Sequence, residues 1–165
     1  MLFLLLFLRD KIPIMKNIIF ICHGNICRSP VGEILFNKYV KEMGLENEFH
    51  AISRAISNEE YRNDIYPPMK RVLDNHGVNY GRHYATKITL DEYENADYIF
   101  YMDRSNYRYL ESMFLLDTKK VLHIATFYSG LDIEDPWYTG RFEMVYSEID
   151  ECVKSIIEHF KNTLL

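Results

Sequence analysis

The chain has 165 residues, enough for one domain with a real core. Its 48% hydrophobic and 26% charged residues are ordinary for a globular protein, and a net charge of −5 leaves no basic footprint for nucleic acid. Three cysteines, an odd and small number, argue against a secreted disulfide scaffold. Cys22 and Cys27 are too far apart for a CxxC redox motif, and the scattered histidines supply no second cluster to complete a zinc site.

Residues Leu2 to Leu8, LFLLLFL, form an apolar run too short to span a bilayer as a helix. No basic segment precedes it and no small-residue cleavage site follows, so it does not read as a signal peptide. Met15-Lys16-Asn17 leads cleanly into the first strand. Residues 1–14 are therefore read as an extension, a start-site artefact or a disordered tail, ahead of one catalytic domain over 15–165. A weak anchor is the alternative, and no membrane contact is expected.

Asn17 to Cys22 is a short apolar run rich in β-branched residues, which predicts a strand buried on both faces. Ser29 reads as an N-cap with Pro30 at the first helical position. The helix then runs to about Met43, with Gly44 as its stop. Gly32 inside it costs about 1 kcal/mol against Ala, which suggests close packing there. Phe49 to Ser53 predicts a second strand, and Ser57 to Tyr66 a polar surface loop. Pro67-Pro68 opens a helix ending near His76-Gly77. Leu90 to Asn95 predicts a short helix, Tyr98 to Met102 a buried strand, about Ser105 to Met113 a helix, and Val121 to Ile124 a fourth strand. Gly130 to Tyr138 reads as a long loop. From Arg141 a last helix repeats Phe142, Val145, Ile149, Cys152, Val153, Ile156 and Phe160 at helical spacing. Cys152 on that stripe reads as core. Strands alternating with helices imply α/β architecture, a parallel sheet covered on both faces. Ligands in such folds bind at the carboxyl ends of strands, where Cys22 lies.

The stretch Cys22-His23-Gly24-Asn25-Ile26-Cys27-Arg28-Ser29-Pro30 joins a buried strand to a helix N-terminus. Such a junction aims backbone N–H groups at one spot and favours negative charge there. A thiol is a nucleophile only as thiolate, and its free pKa is about 8.5; a helix start, loop N–H donors and a nearby arginine lower it. The same groups suit the three oxygens of a phosphoryl group. Arg28 offers a planar fork for two oxygens, and Gly24 and Asn25 tolerate the positive φ a curled loop needs. The loop 23–28 thus reads as a phosphate cradle with Cys22 at its floor, and Ser29 as donor to the sulfur when it becomes a leaving group. A C-x5-R spacing alone is a weak pattern. The preceding strand, the Gly-Asn pair and the following Ser-Pro make it specific.

This stretch resembles the signature loop of the low-molecular-weight protein tyrosine phosphatases. The likeness extends from about Lys16 to the C-terminus and takes in the Ser53 region, His83 followed by Ala85, Met102-Asp103 and Glu134-Asp135-Pro136. It implies a three-layer fold with a four-stranded parallel sheet flanked by helices. It also implies hydrolysis of phosphotyrosine through a cysteinyl-phosphate, without metal or cofactor, in the cytoplasm. The implied partners are phosphotyrosine-containing proteins, a tyrosine kinase among them, with phosphate or vanadate as active-site ligands. Cys22 would be the nucleophile, Arg28 the phosphate clamp and Asp135 the general acid. Asn25 would hold the loop with Ser53 and His83, the last after one inserted residue. Trp137 and Tyr138 would wall the entrance. Where many relatives carry a tryptophan on the other wall, Glu59 or Glu60 falls here, with Tyr61 close by and expected to supply that wall. His23 stands where an apolar residue is common. Cys27 would either pair reversibly with Cys22 or simply fill space.

Asp135 also makes sense on chemical grounds. A phenol has a pKa of about 10, so protonating the departing phenolate lowers the barrier, and the same carboxylate can then activate water. Pro136 would stiffen the loop presenting it. Asp103 and Asp132 are weaker candidates. Activity needs an ionised thiol and a protonated acid together, so a bell-shaped pH profile is expected. Protein arginine phosphatases and arsenate reductases share the loop's look. The former carry threonine where Ile26 stands, and the latter need a cysteine pair past mid-chain, where this chain has none between Cys27 and Cys152. A silent phosphoprotein-binding module would not need Asp135. A chain beginning at Met15 should match the full chain in aryl phosphatase activity and solubility; a large loss of either would contradict the reading of residues 1–14.

Overall fold

The computed structural model describes residues 14–165, so the reading of residues 1–14 lies outside the described residues except for Ile14, which is exposed. Four strands and six helices follow in the order β1 (Lys16–Cys22), α1 (Arg28–Glu42), β2 (Phe49–Ala55), α2 (Pro67–Asn75), α3 (Leu90–Asn95), β3 (Tyr98–Tyr101), α4 (Arg104–Met113), β4 (Val121–His123), α5 (Pro136–Thr139) and α6 (Phe142–Leu164). The strands form one sheet in the order β2-β1-β3-β4, and every pairing is parallel. The expected four-stranded parallel sheet between helices is the fold observed.

Strand β1 explains why. Ile18 to Cys22 are all buried, because the strand has a neighbour on each side and helices on each face. Its side chains alternate. Ile18, Phe20 and Cys22 face the core built with Leu35 of α1, Met69 of α2 and Ile156 of α6. Ile19 and Ile21 face the other core, with Tyr93 of α3 and Leu110 of α4. From β1 the chain crosses to β2 on one side and later returns to β3 on the other. The carboxyl ends of β1 and β3 therefore flank the point where the topology reverses, the usual ligand crevice of such sheets.

Local differences from the sequence reading have local causes. Helix α1 begins at Arg28, with Cys27 at the N-cap and no side-chain cap, so Ser29 is not the N-cap; its hydroxyl turns to Cys22 instead. β2 runs to Ala55, two residues beyond the predicted end, because its pairing with β1 continues to Cys22↔Ala55. Residues 136–139 form a short helix within the predicted loop, capped by the Asp135 side chain. Met43, the predicted last residue of the helix, lies one past its end and is half exposed. The predicted stop at Gly44 is observed, with φ +72°. Cys152 is fully buried, as the stripe implied, and burial pushes its thiol up to about 12.

Gly32 is the tightest point between α1 and the sheet. A Cβ there would lie 2.8 Å from the Phe20 ring, and Phe20 is itself locked between Phe36 and Phe100. Gly32→Ala should therefore destabilise the fold by about 1–3 kcal/mol, although alanine is the better helix former. Urea unfolding would show a lower midpoint with an unchanged slope. An unchanged or higher midpoint would contradict this packing.

Candidate active site

Cys22 ends β1 and is buried. The chain then turns through residues 23–27 into α1, with Asn25 at φ +59°. Asparagine tolerates this left-handed geometry better than most residues. The turn brings the Asn25 N–H to 3.2 Å from Cys22 Sγ, and Ser29 Oγ lies 3.0 Å from the same sulfur. The site thus holds a sulfur with two hydrogen-bonding neighbours at the start of a fifteen-residue helix.

The Asn25 side chain is fully buried, and every polar atom of its amide is used. Nδ2 donates to Ser29 Oγ at 2.9 Å and to Ser53 Oγ at 3.0 Å, and Oδ1 accepts from the Thr86 N–H at 3.1 Å. Ser53 Oγ donates in turn to Glu33 Oε2 at 2.6 Å. His83 Nε2 lies 2.6 Å from the Asn25 carbonyl oxygen; a carbonyl only accepts, so Nε2 carries the proton. Ser53 and His83 thus both hydrogen-bond the loop at Asn25. Glu33 and Thr86 were missed: one looks like an ordinary helix-surface residue and the other like part of a connection. Neither carries a sequence signal for this role.

Arg28 lies in the first turn of α1 with a side chain only 2% exposed. Nη1 donates to Asp103 Oδ2 at 2.6 Å and to the Ile133 carbonyl at 2.9 Å, and Nη2 reaches Asp135 Oδ2 at 3.3 Å. Burial works against its charge, but Cys22, Asp135 and Asp103 outweigh burial and raise the pKa further. Asp103 is the N-cap of α4 and binds the Asn106 N–H, so its carboxylate anchors the arginine. A signal was available, since an aspartate that ends a strand and caps the next helix sits beside the crevice. Asp132 is paired with His123 at 2.9 Å.

Asp135 Oδ1 accepts from the Trp137 N–H at 3.0 Å, which fixes the carboxylate at the start of α5. The preceding Glu134 is gripped by Arg141 from the other end of α5, at 3.2 Å from Nε and 2.7 Å from Nη2. A pocket of about 180 Å³ opens above the sulfur. It is lined by residues 22–28, by Glu59 and Glu60, and by Asp135, Trp137 and Tyr138. Trp137 packs against Tyr66, with ring centroids 4.8 Å apart. Tyr61, expected at the wall, does not line the pocket and is exposed; Glu59 and Glu60 line it instead. His23 Nε2 meets Glu59 Oε2 at 2.9 Å. Cys27 is buried at the pocket, and burial pushes its thiol well above the ordinary range. Both loop cysteines are free thiols.

The chain is similar to known proteins over most of its length. A family profile described as low molecular weight phosphotyrosine protein phosphatase matches residues 17–164. A relative from Gallus gallus, named low molecular weight phosphotyrosine protein phosphatase, is 37% identical over 153 residues, covering 87% of this chain and 94% of the relative. The low molecular weight protein-tyrosine-phosphatase YfkJ of Bacillus subtilis is 31% identical over 137 residues, covering 79% of this chain and 86% of its own. The crystal structure of YfkJ superposes with a TM-score of 0.86 at 29% identity, over 90% of this chain and 96% of that one. The low molecular weight protein tyrosine phosphatase structure from Streptococcus pyogenes gives 0.80 at 28% identity, over 88% and 93%.

One outer support of the site has a pH signature. Asp64 binds the backbone N–H groups of His83 at 3.0 Å and Ile65 at 2.8 Å, and Lys70 Nζ at 2.6 Å. Burial raises its carboxyl, but these bonds outweigh burial and hold it at about 2. Its folded pKa lies below the unfolded value of about 3.9. The stabilisation is therefore present above about pH 4 and lost as pH falls toward 2. Asp64→Asn should cost about 1 kcal/mol near neutrality, solvent screening reducing the full effect, with the gap from wild type closing on acidification through that window. Unfolding midpoints measured from pH 6 to pH 2.5 would check this; a gap that stays constant with pH would contradict it.

Proposed function

The chain belongs to the low molecular weight phosphotyrosine protein phosphatase family, and from that premise we propose that it hydrolyses protein phosphotyrosine through a phosphoryl group carried on Cys22. The observation that supports this best is the convergence of Cys22, Arg28 and Asp135 on one pocket walled by Trp137 and Tyr138. Each supplies what the other two lack.

In the first step the Cys22 thiolate attacks phosphorus and the bond from phosphorus to the tyrosyl oxygen breaks. Asp135 gives its proton to that oxygen, so tyrosine leaves as a neutral phenol. Arg28 and the amides of residues 23–28 hold the three equatorial oxygens, where charge spreads in the transition state. Binding a phosphoryl group replaces the long 3.3 Å contact between Arg28 and Asp135, which frees the carboxyl to face the leaving group. In the second step Asp135, now a carboxylate, takes a proton from water as that water attacks phosphorus. Cys22 leaves as thiolate with the Ser29 hydroxyl 3.0 Å from its sulfur. Phosphate departs and Asp135 is again protonated. The steps call on no metal or cofactor.

The substrates on this reading are phosphotyrosine-bearing proteins, a tyrosine kinase among them, with phosphate and vanadate as simple ligands of the same cradle. No helix among the described residues is long and apolar enough to cross a membrane. Three free cysteines, two of them in the site, suit a reducing compartment, and we place the reaction in the cytoplasm. No observation favours arginine phosphatase or arsenate reductase chemistry.

Hydrolysis of 4-nitrophenyl phosphate and of a phosphotyrosyl peptide tests the mechanism. Cys22→Ser should abolish both and Asp135→Asn should lower kcat by about 10²- to 10⁴-fold. Vanadate should block turnover. Undiminished turnover in Cys22→Ser would refute the mechanism.

A further inference from the structure

Glu59 and Glu60 line the pocket, yet neither has a part in the steps above. The two carboxylates differ in how they are held. Glu59 is paired with His23, the residue next to the nucleophile, at 2.9 Å. Glu60 accepts from Asn63 Nδ2 at 2.6 Å, and among the described residues no cation pairs with it. Its stem lies directly over the phosphate loop. A Cβ at Gly24 would come within 3.2 Å of Glu60 Cγ, so the bare glycine is what lets this side chain rest there. Glu60 is thus a fixed, uncompensated negative charge at the mouth of the site.

The positive charge of the pocket lies elsewhere. Arg28 sits at the floor, almost fully buried and faced by Asp103 and Asp135, and a phosphoryl group would engage it from above. Substrate residues beside the phosphotyrosine meet the rim, where Glu59 and Glu60 stand with the exposed aromatic side chains of Trp137 and Tyr138. A lysine or arginine there gains opposite charge and an aromatic face together. An aspartate or glutamate there meets like charge.

Resting on the phosphatase reading above, we propose that Glu60, assisted by Glu59, makes this enzyme selective for phosphotyrosyl segments with a lysine or arginine next to the phosphotyrosine, and against acidic ones. Each rim contact is partly exposed, so each contributes about two- to fivefold in kcat/KM, and salt weakens it.

The test uses the full chain and three phosphotyrosyl peptides that differ only at the residues flanking the phosphotyrosine: lysine, serine or glutamate. At low salt kcat/KM should fall in that order, by about tenfold from lysine to glutamate. The ratio should shrink as salt is raised. Glu60→Gln keeps the size of the side chain and an acceptor for Asn63, and should cut the lysine-to-glutamate ratio by at least half. Glu59→Gln/Glu60→Gln should bring it close to one. Equal kcat/KM for the three peptides, or a ratio that both variants leave intact, would overturn the selectivity while leaving the phosphatase reading standing. Failure to hydrolyse any of the peptides would overturn both.

Discussion

A buried guanidinium in the first turn of a helix is the constraint on which the site depends. Arg28 places a positive charge at the positive end of α1, where an isolated helix would favour an acid, and takes it almost wholly out of water. Such a charge is tolerable only if it is paired. Its partners come from distant parts of the chain: Asp103 at the N-cap of α4, and the Ile133 carbonyl and Asp135 from the segment leading into α5. The three segments of the active site are thereby tied to one cation. The same contacts bring Asp135, Arg28 and Cys22 to one pocket, where on the proposed reading they would serve as acid, clamp and nucleophile. Folding and chemistry share the interaction, because the charge that must be neutralised in the free protein is the one a phosphate would use.

The loop before Arg28 is held by the opposite strategy, a neutral amide saturated with hydrogen bonds. Asn25 takes a conformation most residues avoid, and its side chain binds Ser29, Ser53 and the Thr86 backbone while its carbonyl binds His83. A buried network of this kind is rigid when complete and costly when one member is missing. On the proposed mechanism this rigidity would matter, because donors fixed in advance need no reorganisation as charge builds on phosphoryl oxygens. Asp64 extends the support outward by pinning the backbone of His83.

Much of this architecture is legible in the sequence. The apolar run of β1, Gly44, Pro67-Pro68 and the stripe of α6 carry their structural meaning locally, through burial, φ preference and helical period. The signature loop suggests its proposed chemistry because the cysteine, glycine, asparagine and arginine are neighbours in sequence. What stayed hidden depends on distant parts of the chain. Glu33 looks like any helix-surface acid until the sheet brings Ser53 beside it. Thr86 contributes only a backbone N–H, which leaves no trace in residue type. The short helix α5 is four residues long, too short for a period to show. Ser29 was misread as a cap because the rule for helix starts assumes that the first turn must be satisfied from within the chain. Here the first turn has no side-chain cap, and the Ser29 hydroxyl lies 3.0 Å from the Cys22 sulfur. Tyr61 was placed by proximity in sequence, and the loop 57–66 turns Glu59 and Glu60 inward instead.

The central claim is that phosphoryl transfer passes through the sulfur of Cys22. The most direct measurement is acid quenching of the enzyme during turnover of a phosphotyrosyl substrate, followed by mass analysis of its peptides. A phosphoryl group is expected on the peptide containing Cys22, on the cysteine itself, formed at least as fast as steady-state turnover. A phosphoryl group on another residue, or none at any time while product accumulates, would contradict it.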